Sequence, residues 1–278
     1  MRTNGKEIAS EIRKSLDKKL DELKIRYNRV PKLCTILVGN NASSKIFVRR
    51  KEIAAKELGI DFQKYEIYGS ASTEDVIKII GNLNEDVNCN SILIQLPLPN
   101  QNTEEILRSI HPSKDVDCLH PLNLGNLMSK KDDILLPPVV SAIMEFIGND
   151  LKGKKITVVG SGRLVGSPLS IYLMNKGATV FVCNEYTKNI EMYTKESDIV
   201  VSCAGVPKLI KTDMVKQGAK IIDAGISQVD GIITGDVDYE NVSKKAEVTP
   251  VPGGVGPVTV EMLLKNTLYL FEEQMKII

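Results

Sequence analysis

A lysine that shares a helix face with an aromatic ring is the first residue in this 278-residue sequence whose setting suits chemistry. Lys51 follows Phe47 by four residues in the segment ASSKIFVRRKEIAAKELG, so both side chains are expected on one face of a helix. A helical lysine is usually a solvated surface charge. An apolar wall instead removes water from the ammonium group, lowers its pKa and prepares it for proton transfer.

A polar side chain lies at the end of a buried apolar strand in the segment ILIQLPLP. Gln95 lies where that strand ends, and in parallel sheets ligands bind beyond the carboxyl ends of strands. The alternative is a polar residue that a neighbouring loop satisfies. The segment SKDVDC then supplies Asp115 and Asp117. A carboxylate there suits an amino-substituted heterocycle, which donates two hydrogen bonds, and the alternative is a turn cap.

A glycine loop between a strand and a helix predicts a phosphate-binding site. Gly160, Gly162 and Gly166 in VVGSGRLVGSPLSIYL have the spacing GxGxxxG, one residue longer than the usual dinucleotide fingerprint. Glycines here let the backbone turn tightly and approach a pyrophosphate at the helix N-terminus. A tight strand-to-helix turn without a ligand is the alternative.

Two charged residues near this loop predict different cofactors. Glu185 lies 25 residues after Gly160, near where an acid binds the ribose 2′-hydroxyl of NAD. Arg163, inside the loop, is suited to the 2′-phosphate of NADP. The small residues Ala204 and Gly205 end the next apolar run, VSCAGVPKLI, where a flat ring can lie against the backbone.

The composition excludes several classes of function. The net charge of +1 and the absence of Trp argue against a nucleic-acid partner. Two histidines and five cysteines without ligand spacing argue against a bound metal and a Ser-His-Asp triad. No apolar run approaches membrane-spanning length. We therefore expect a cytoplasmic protein with reduced cysteines and no membrane partner.

Alternating helices and strands must position these residues. Apolar periodicity predicts helices over 6–27, 42–59, 73–83 and 103–110, and strands over 32–39, 61–68 and 91–99. Ser43 or Ser44 is the expected N-cap of the second helix, and Gly59 its stop. After a polar stretch near residue 120, a helix beginning with proline over 137–149 precedes a second alternation. There we expect strands over 154–160, 179–184, 198–205 and 219–226, each pair joined by a helix.

The expected fold class is α/β, with two α/β domains, a cleft between them, and a Rossmann-like NAD(P)-binding second domain. The predicted bounds are 1–119 plus 258–278 for the first domain and 120–257 for the second. Between them, PVPGGVGPVTV at 250–260 holds three prolines and three glycines, which argues against regular structure, and a helix is expected from residue 261.

Four segments together resemble the bifunctional methylenetetrahydrofolate dehydrogenase/cyclohydrolase (FolD) family: VGNNASSKIFVRRK, ILIQLPLP, KDVDC and PVPGGVGPVTVEMLL. The similarity runs in order over essentially the whole chain. It implies oxidation of 5,10-methylenetetrahydrofolate by hydride transfer to NADP, and then hydrolysis of the methenyl product to 10-formyltetrahydrofolate. It also implies a homodimer, with its contact in the nucleotide domain, and tetrahydrofolate one-carbon derivatives as partners.

The resemblance assigns roles to particular residues. It implies that Lys51 is the main catalytic group, that Gln95 hydrogen-bonds and tunes it, and that Asp117 binds the pterin ring. The glycine-proline loop is expected between the domains, beside the folate and the nicotinamide, with its bound geometry set in advance. The predicted substrate-binding residues are Phe47, Pro252, Gly253, Gly254 and Pro257. The predicted cofactor-binding residues are Gly160, Ser161, Gly162, Arg163, Val165, Gly166, Glu185, Ala204, Gly205 and Ile226.

This sequence departs from the family pattern at several positions. Phe47 replaces a tyrosine and keeps the ring without the hydroxyl, which bears on the hydrolysis more than on hydride transfer. In the nucleotide half, the loop arginine is displaced to Arg163, and CNEYT introduces Glu185 where the family has a histidine-containing segment. NADP is therefore the expected cofactor, with NAD left open. The alternatives are a dehydrogenase without hydrolysis, a folate- or nucleotide-binding protein without catalysis, and an enzyme that acts on a related pterin carrier.

Overall fold

The computed structural model describes residues 3–129, 134–229 and 231–277. In these ranges the α-helices are α1 Gly5–Tyr27, α2 Ala42–Leu58, α3 Thr73–Glu85, α4 Thr103–Ser109, α5 Pro121–Asn126, α6 Pro138–Ile147, α7 Gly166–Asn175, α8 Glu191–Thr194, α9 Tyr239–Val242 and α10 Val255–Met275. The strands are β1 Lys32–Val38, β2 Asp61–Ile67, β3 Ser91–Ile94, β4 Lys155–Val159, β5 Thr179–Cys183, β6 Ile199–Ser202, β7 Lys220–Asp223, β8 Ser227–Val229, β9 Ile232–Thr234 and β10 Glu247–Val248. Single 3-10 turns lie at Pro112–Lys114, Leu127–Ser129 and Thr212–Met214.

The chain divides into two compact units, which we name by their strands. The β1–β3 unit comprises residues 11–125 and 260–278, and the β4–β10 unit comprises residues 1–10 and 126–259. The domain bounds predicted from the sequence stay a prediction.

The β1–β3 unit is built on a parallel sheet in the order β2-β1-β3. The central strand β1 is buried from Leu33 to Val38, as expected for a parallel strand covered on both faces. The end of the chain belongs to this unit through α10. Glu261 receives two hydrogen bonds from the Arg13 guanidinium at 2.8 and 2.9 Å, and the Gln274 side chain donates to the Asn90 carbonyl at 2.8 Å.

The β4–β10 unit has a five-stranded parallel sheet in the order β10-β7-β6-β4-β5, with a two-stranded antiparallel hairpin of β8 and β9. The chain moves from β4 outward to β5 and then returns to the other side of β4 with β6, the arrangement of a doubly wound nucleotide-binding sheet. This confirms the predicted α/β class and the Rossmann-like second unit. The hairpin was not predicted.

Two of the predicted elements are wrong in detail. The expected helix between β6 and β7 is only the 3-10 turn Thr212–Met214, because Ile210 forms an isolated parallel bridge with Val237 that keeps the chain extended before the turn. The expected irregular segment 250–260 is already helical from Val255. Pro257 falls in the first turn of α10, where a missing backbone N–H breaks no helical hydrogen bond.

The five cysteines are free thiols, and all except the half-buried Cys203 are buried. No helix among the described residues has the length and apolar character needed to cross a membrane.

Candidate active site

Helix α2 carries Lys51 and Phe47 in the β1–β3 unit. Its N-cap is Asn41, whose side chain accepts the Ser44 backbone N–H at 3.0 Å, so the predicted serine caps are wrong. Asn41 has the extended backbone of a cap residue, whereas Ser43 and Ser44 already lie in the first helical turn. The predicted stop at Gly59 is confirmed by its left-handed backbone, with φ of 88°.

The Lys51 ammonium donates a hydrogen bond to Gln95 Oε1 at 3.1 Å. Gln95 follows β3, and its backbone N–H continues the strand pairing by donating to the Ile36 carbonyl at 2.9 Å. The other end of its side-chain amide donates to the Leu96 carbonyl at 2.7 Å. The Leu96 bond fixes the orientation of the amide, so that its oxygen, an acceptor, faces Lys51.

The electrostatics of Lys51 and Asp117 are coupled. Both side chains are half-buried. Burial lowers the pKa of Lys51, and the negative charge of Asp117 opposes that change. Burial raises the pKa of Asp117 to about 6, against the opposing charge of Lys51, and Asp115 adds to the rise. The pKa of the lysine is lowered and that of the aspartate is raised, and groups perturbed in this way by burial are candidates for proton transfer.

The second aspartate of the segment, Asp115, has a structural role. It is buried, and one carboxylate oxygen accepts the His120 backbone N–H at 2.7 Å and the Asn123 side-chain amide at 2.9 Å. The neighbouring Lys114 is also buried, and it donates to three backbone carbonyls at the end of α3, at 2.7 to 2.9 Å. These contacts fix the loop that presents Asp117.

The glycine loop of the β4–β10 unit follows β4. Gly160 has a φ of 105°, and a Cβ atom there would lie 2.6 Å from the Cys203 carbonyl oxygen. A Cβ atom on Gly166, the first residue of α7, would lie 1.7 Å from the Gly160 carbonyl oxygen. Gly162 differs, because an added Cβ atom would meet nothing within 4 Å among the described residues. The surrounding backbone leaves no room for a side chain at positions 160 and 166, whereas position 162 adjoins open space.

The remaining predicted cofactor-binding residues lie at the same edge of this sheet. Parallel pairing brings together the carboxyl ends of β5, β4, β6 and β7. The predicted cofactor-binding residues in the loops after these strand ends differ in exposure. Exposed are Gly162, Glu185, Ala204, Gly205 and Ile226, and half-buried are Gly160, Ser161, Arg163 and Val165.

The glycine-proline segment also belongs to the β4–β10 unit. Gly253 has a φ of 106°, and its carbonyl accepts the Gly5 backbone N–H at 2.9 Å. A Cβ atom on Gly254 would lie 2.5 Å from the Pro250 carbonyl oxygen. Pro252 is exposed and Pro257 half-buried. The structure therefore gathers Lys51, Phe47, Gln95 and Asp117 in one unit and the glycine-proline loop with the cofactor-binding residues in the other.

Sequence reasoning missed two buried acids of the β4–β10 unit, Asp223 and Asp236. Asp223 ends β7 and Asp236 follows β9, each within two residues of a glycine, in IIDAG and TGDVD, which is the signal that was available. Their partners lie in other strand-end loops, as described below.

A parallel-sheet unit with a glycine loop after β4 and a second unit with a half-buried lysine are features of a two-unit α/β oxidoreductase. Family models agree with both parts. The tetrahydrofolate dehydrogenase/cyclohydrolase catalytic domain matches residues 3–117, and the NAD(P)-binding domain of the same family matches residues 136–275. The chain belongs to the tetrahydrofolate dehydrogenase/cyclohydrolase family, which confirms the family predicted from the sequence.

Relatives resemble the chain over nearly its full length. It is 42% identical over 276 residues to the bifunctional protein FolD of Aquifex aeolicus, covering 98% of this chain and 95% of that protein. The crystal structure of bifunctional FolD from Campylobacter jejuni has a TM-score of 0.94 and 39% identity, over 98% of both chains. FolD from Trypanosoma brucei, crystallised with NADP and an inhibitor, has a TM-score of 0.95 and 38% identity, over 99% of this chain and 98% of that one.

Proposed function

We propose that this protein oxidises 5,10-methylenetetrahydrofolate to 5,10-methenyltetrahydrofolate with NADP and hydrolyses the product to 10-formyltetrahydrofolate. The observation that carries the proposal is the hydrogen bond of 3.1 Å between the half-buried Lys51 ammonium and the oriented amide of Gln95. Bifunctional relatives at 42% and 39% identity, aligned over nearly the whole chain, support both activities.

Lys51 is the proposed proton-transfer group of the hydrolysis. Hydrolysis of a methenyl cation adds water to the one-carbon unit, breaks one carbon–nitrogen bond and releases one proton. Lys51, with its pKa lowered by burial, accepts one proton from the attacking water in its neutral form and returns it to the departing nitrogen. The second proton of that water is the one released to solvent, as the formyl C=O forms. The Gln95 oxygen holds the amine in place between these steps, because its own orientation is fixed by Leu96.

Asp117 and Phe47 are the proposed contacts of the pterin. Asp117 as a carboxylate accepts hydrogen bonds from an amino-substituted ring, and its charge also favours the ammonium form of Lys51. Phe47 lies one turn before Lys51 on α2 and offers a ring for contact. Pro252, Gly253, Gly254 and Pro257 stay predicted substrate contacts.

The residues of the glycine loop fit a dinucleotide. Helix α7 begins at Gly166 without a side-chain cap. In its first turn Ser167 donates its N–H to the Gly162 carbonyl at 3.1 Å and Pro168 has no N–H, so the positive end of the helix dipole is the feature suited to a phosphate group. The open space at Gly162 permits close approach to the backbone. When bound, NADP supplies the hydride acceptor of the oxidation. The chain's own part is to hold it and to exclude competing water.

Arg163 is the proposed partner of the 2′-phosphate, in place of the arginine two positions earlier in the family pattern. It is half-buried within the loop, whereas Glu185 is exposed. A guanidinium group matches the geometry of a phosphate, and a carboxylate repels it. A homodimer in the cytoplasm, without nucleic-acid or membrane partners, completes the proposal and rests on the family resemblance.

One assay tests the function. Purified protein is mixed with methylenetetrahydrofolate and either NADP or NAD, and reduced nicotinamide and methenyltetrahydrofolate are followed together. We expect NADP to be reduced and the methenyl product then to decay in an enzyme-dependent way. Lys51→Met is expected to abolish that decay, and Lys56→Met, an exposed lysine on the same helix, serves as the matched control. Absence of reduction with either cofactor contradicts the proposal, and a methenyl product that accumulates without enzyme-dependent decay selects a dehydrogenase alone.

A further inference from the structure

Two buried aspartates lie beneath the strand ends of the β4–β10 unit. Asp236 is 0% exposed and Asp223 is 3% exposed. A buried carboxylate is costly to keep charged, and well-packed apolar groups often stabilise a core as well or better. Stability alone is therefore a weak reason for two acids in this position.

Asp236 fastens the loop that follows β6. Its Oδ2 atom accepts the backbone N–H of Ala204 at 2.7 Å, the backbone N–H of Gly205 at 3.2 Å and the Ser202 hydroxyl at 2.8 Å. Both loop amides thus point inward to the carboxylate, while Ala204 and Gly205 remain exposed. Hydrogen bonds to an ionised acceptor are the strong ones, so one oxygen fixes the path of two successive peptide groups.

The other oxygen of Asp236 is held against a glycine. Among the residues that the structure describes, Oδ1 has no hydrogen-bond partner. It lies so close to Gly225 that a Cβ atom there would be 2.0 Å away. Gly225 directly precedes the predicted cofactor contact Ile226, so the same carboxylate also restricts the position of the turn that contains Ile226.

Asp223 holds this arrangement in turn. Its Oδ1 atom accepts the backbone N–H groups of Gly225 and Asp236, both at 3.0 Å, and its Oδ2 atom accepts that of Val237 at 2.9 Å. Its own N–H donates to the Thr249 hydroxyl at 2.8 Å. Three strand-end segments are thereby tied to two carboxylates, and a fourth, at Thr249, is tied to the Asp223 backbone.

We propose that Asp236 is a positioning residue for the cofactor: its carboxylate holds the Ala204–Gly205 loop and the Gly225–Ile226 turn in the conformation that binds NADP, and Asp223 holds Asp236. The proposal rests on the proposed function, since it concerns the cofactor-dependent oxidation. Methenyl hydrolysis uses no nicotinamide and is carried by residues of the β1–β3 unit, so it reports whether the protein is otherwise intact.

The test compares Asp236→Ala and Asp236→Asn with the wild-type protein. Asparagine keeps an acceptor oxygen for the two loop amides and loses the charge. The KM for NADP is expected to rise at least tenfold with alanine and by a smaller factor with asparagine, while the rate of methenyl hydrolysis stays within twofold. Ser202→Ala removes a donor from the same carboxylate oxygen without touching the loop amides, and its KM for NADP is expected to stay near the wild-type value.

Several outcomes overturn the proposal. A KM for NADP that does not change in either Asp236 variant removes the positioning role. A merely structural role is indicated if hydrolysis falls in proportion to the oxidation. It is also indicated if Ser202→Ala raises the KM for NADP as much as Asp236→Asn does. If Asp236→Ala does not fold, Asp236→Asn and Ser202→Ala carry the comparison. NADPH binding, followed by fluorescence, decides the proposal independently of turnover: if wild-type protein binds NADPH but reduces no NADP, the proposed function fails and the binding comparison still stands.

Discussion

Alanine substitutions at the three glycines of the β4–α7 loop are expected to separate the demands of the fold from the demands of the cofactor. Gly160→Ala introduces a side chain at a φ of 105° and a Cβ atom 2.6 Å from the Cys203 carbonyl oxygen. The backbone strain costs about 1–3 kcal/mol. Overpacking against a fixed carbonyl costs about another 1–3 kcal/mol. We expect the free energy of unfolding to fall by roughly 2–6 kcal/mol.

The other two glycines have different constraints. Gly166→Ala has no positive φ to oppose, but its Cβ atom would lie 1.7 Å from the Gly160 carbonyl oxygen, so the first turn of α7 must move. Gly162→Ala meets nothing within 4 Å among the described residues, and its free energy of unfolding is expected to change by less than about 0.5 kcal/mol. Because we propose that the cofactor approaches the backbone at the open space of Gly162, this variant is expected to raise the KM for NADP severalfold.

Urea denaturation followed by circular dichroism measures the stability of the three variants, and initial rates at varied NADP measure the cofactor effect. Methenyl hydrolysis in the same preparations is the internal control. The reasoning is refuted if Gly162→Ala destabilises the protein as much as Gly160→Ala, or if Gly160→Ala keeps the wild-type stability. A Gly162→Ala variant with an unchanged KM for NADP shows instead that the cofactor does not approach this part of the backbone.

Three further predictions concern charge. Lys114→Met removes the three hydrogen bonds that the Lys114 ammonium donates to carbonyls at the end of α3. The free energy of unfolding, measured by urea titration, is expected to fall by about 3 kcal/mol. The control is Lys78→Met, at an exposed lysine on α3, which is expected to change it little. Because burial raises the pKa of Asp117 to about 6, the folded state binds its proton more tightly than the unfolded state; the stabilisation is full below about pH 4 and is lost as the pH rises through 6. Asp117→Asn is expected to reduce this dependence in denaturation at several pH values and not to remove it, because the pKa of Asp223 is also raised to about 6. Arg163→Ala is expected to raise the KM for NADP but not for NAD, and Glu185→Gln is the control that leaves the preference for NADP in place; equal effects on both cofactors contradict the role of Arg163.

Features that depend on neighbours in sequence were predictable. The stop of α2 at Gly59 follows from one residue that adopts a left-handed backbone without strain, and the start of α6 follows from a proline at its first turn. The N-cap of α2 was wrong because two serines and an asparagine are equally good caps, and only the helical register selects Asn41.

Features that depend on distant partners were not predictable. The bridge between Ile210 and Val237 removes a helix that the local sequence permits. The Lys51–Gln95 bond joins residues 44 apart; periodicity placed Lys51 within a helix and Gln95 at a strand end, and only the family resemblance implied that the two side chains meet. A carboxylate that holds another loop, such as Asp236, has the same local signature as a turn cap, so its role appears only when its donors are located.

The distribution of these residues within the chain gives the two activities separate sensitivities. Lys51, Gln95 and Asp117 belong to the β1–β3 unit, and the residues proposed to hold NADP belong to the β4–β10 unit. If each unit keeps its own network of hydrogen bonds, damage to the Asp236 network or to the glycine loop lowers the cofactor-dependent oxidation and spares hydrolysis. A Lys51 substitution is expected to lower the rate of hydrolysis. It spares the oxidation only if hydride transfer needs no proton exchange with the Lys51 amine. The rates of oxidation and of hydrolysis, measured separately in Lys51→Met, Asp236→Asn and Gly162→Ala, therefore show how far the oxidation depends on the lysine: a shared role lowers both rates in the first variant, whereas the other two variants lower the oxidation alone.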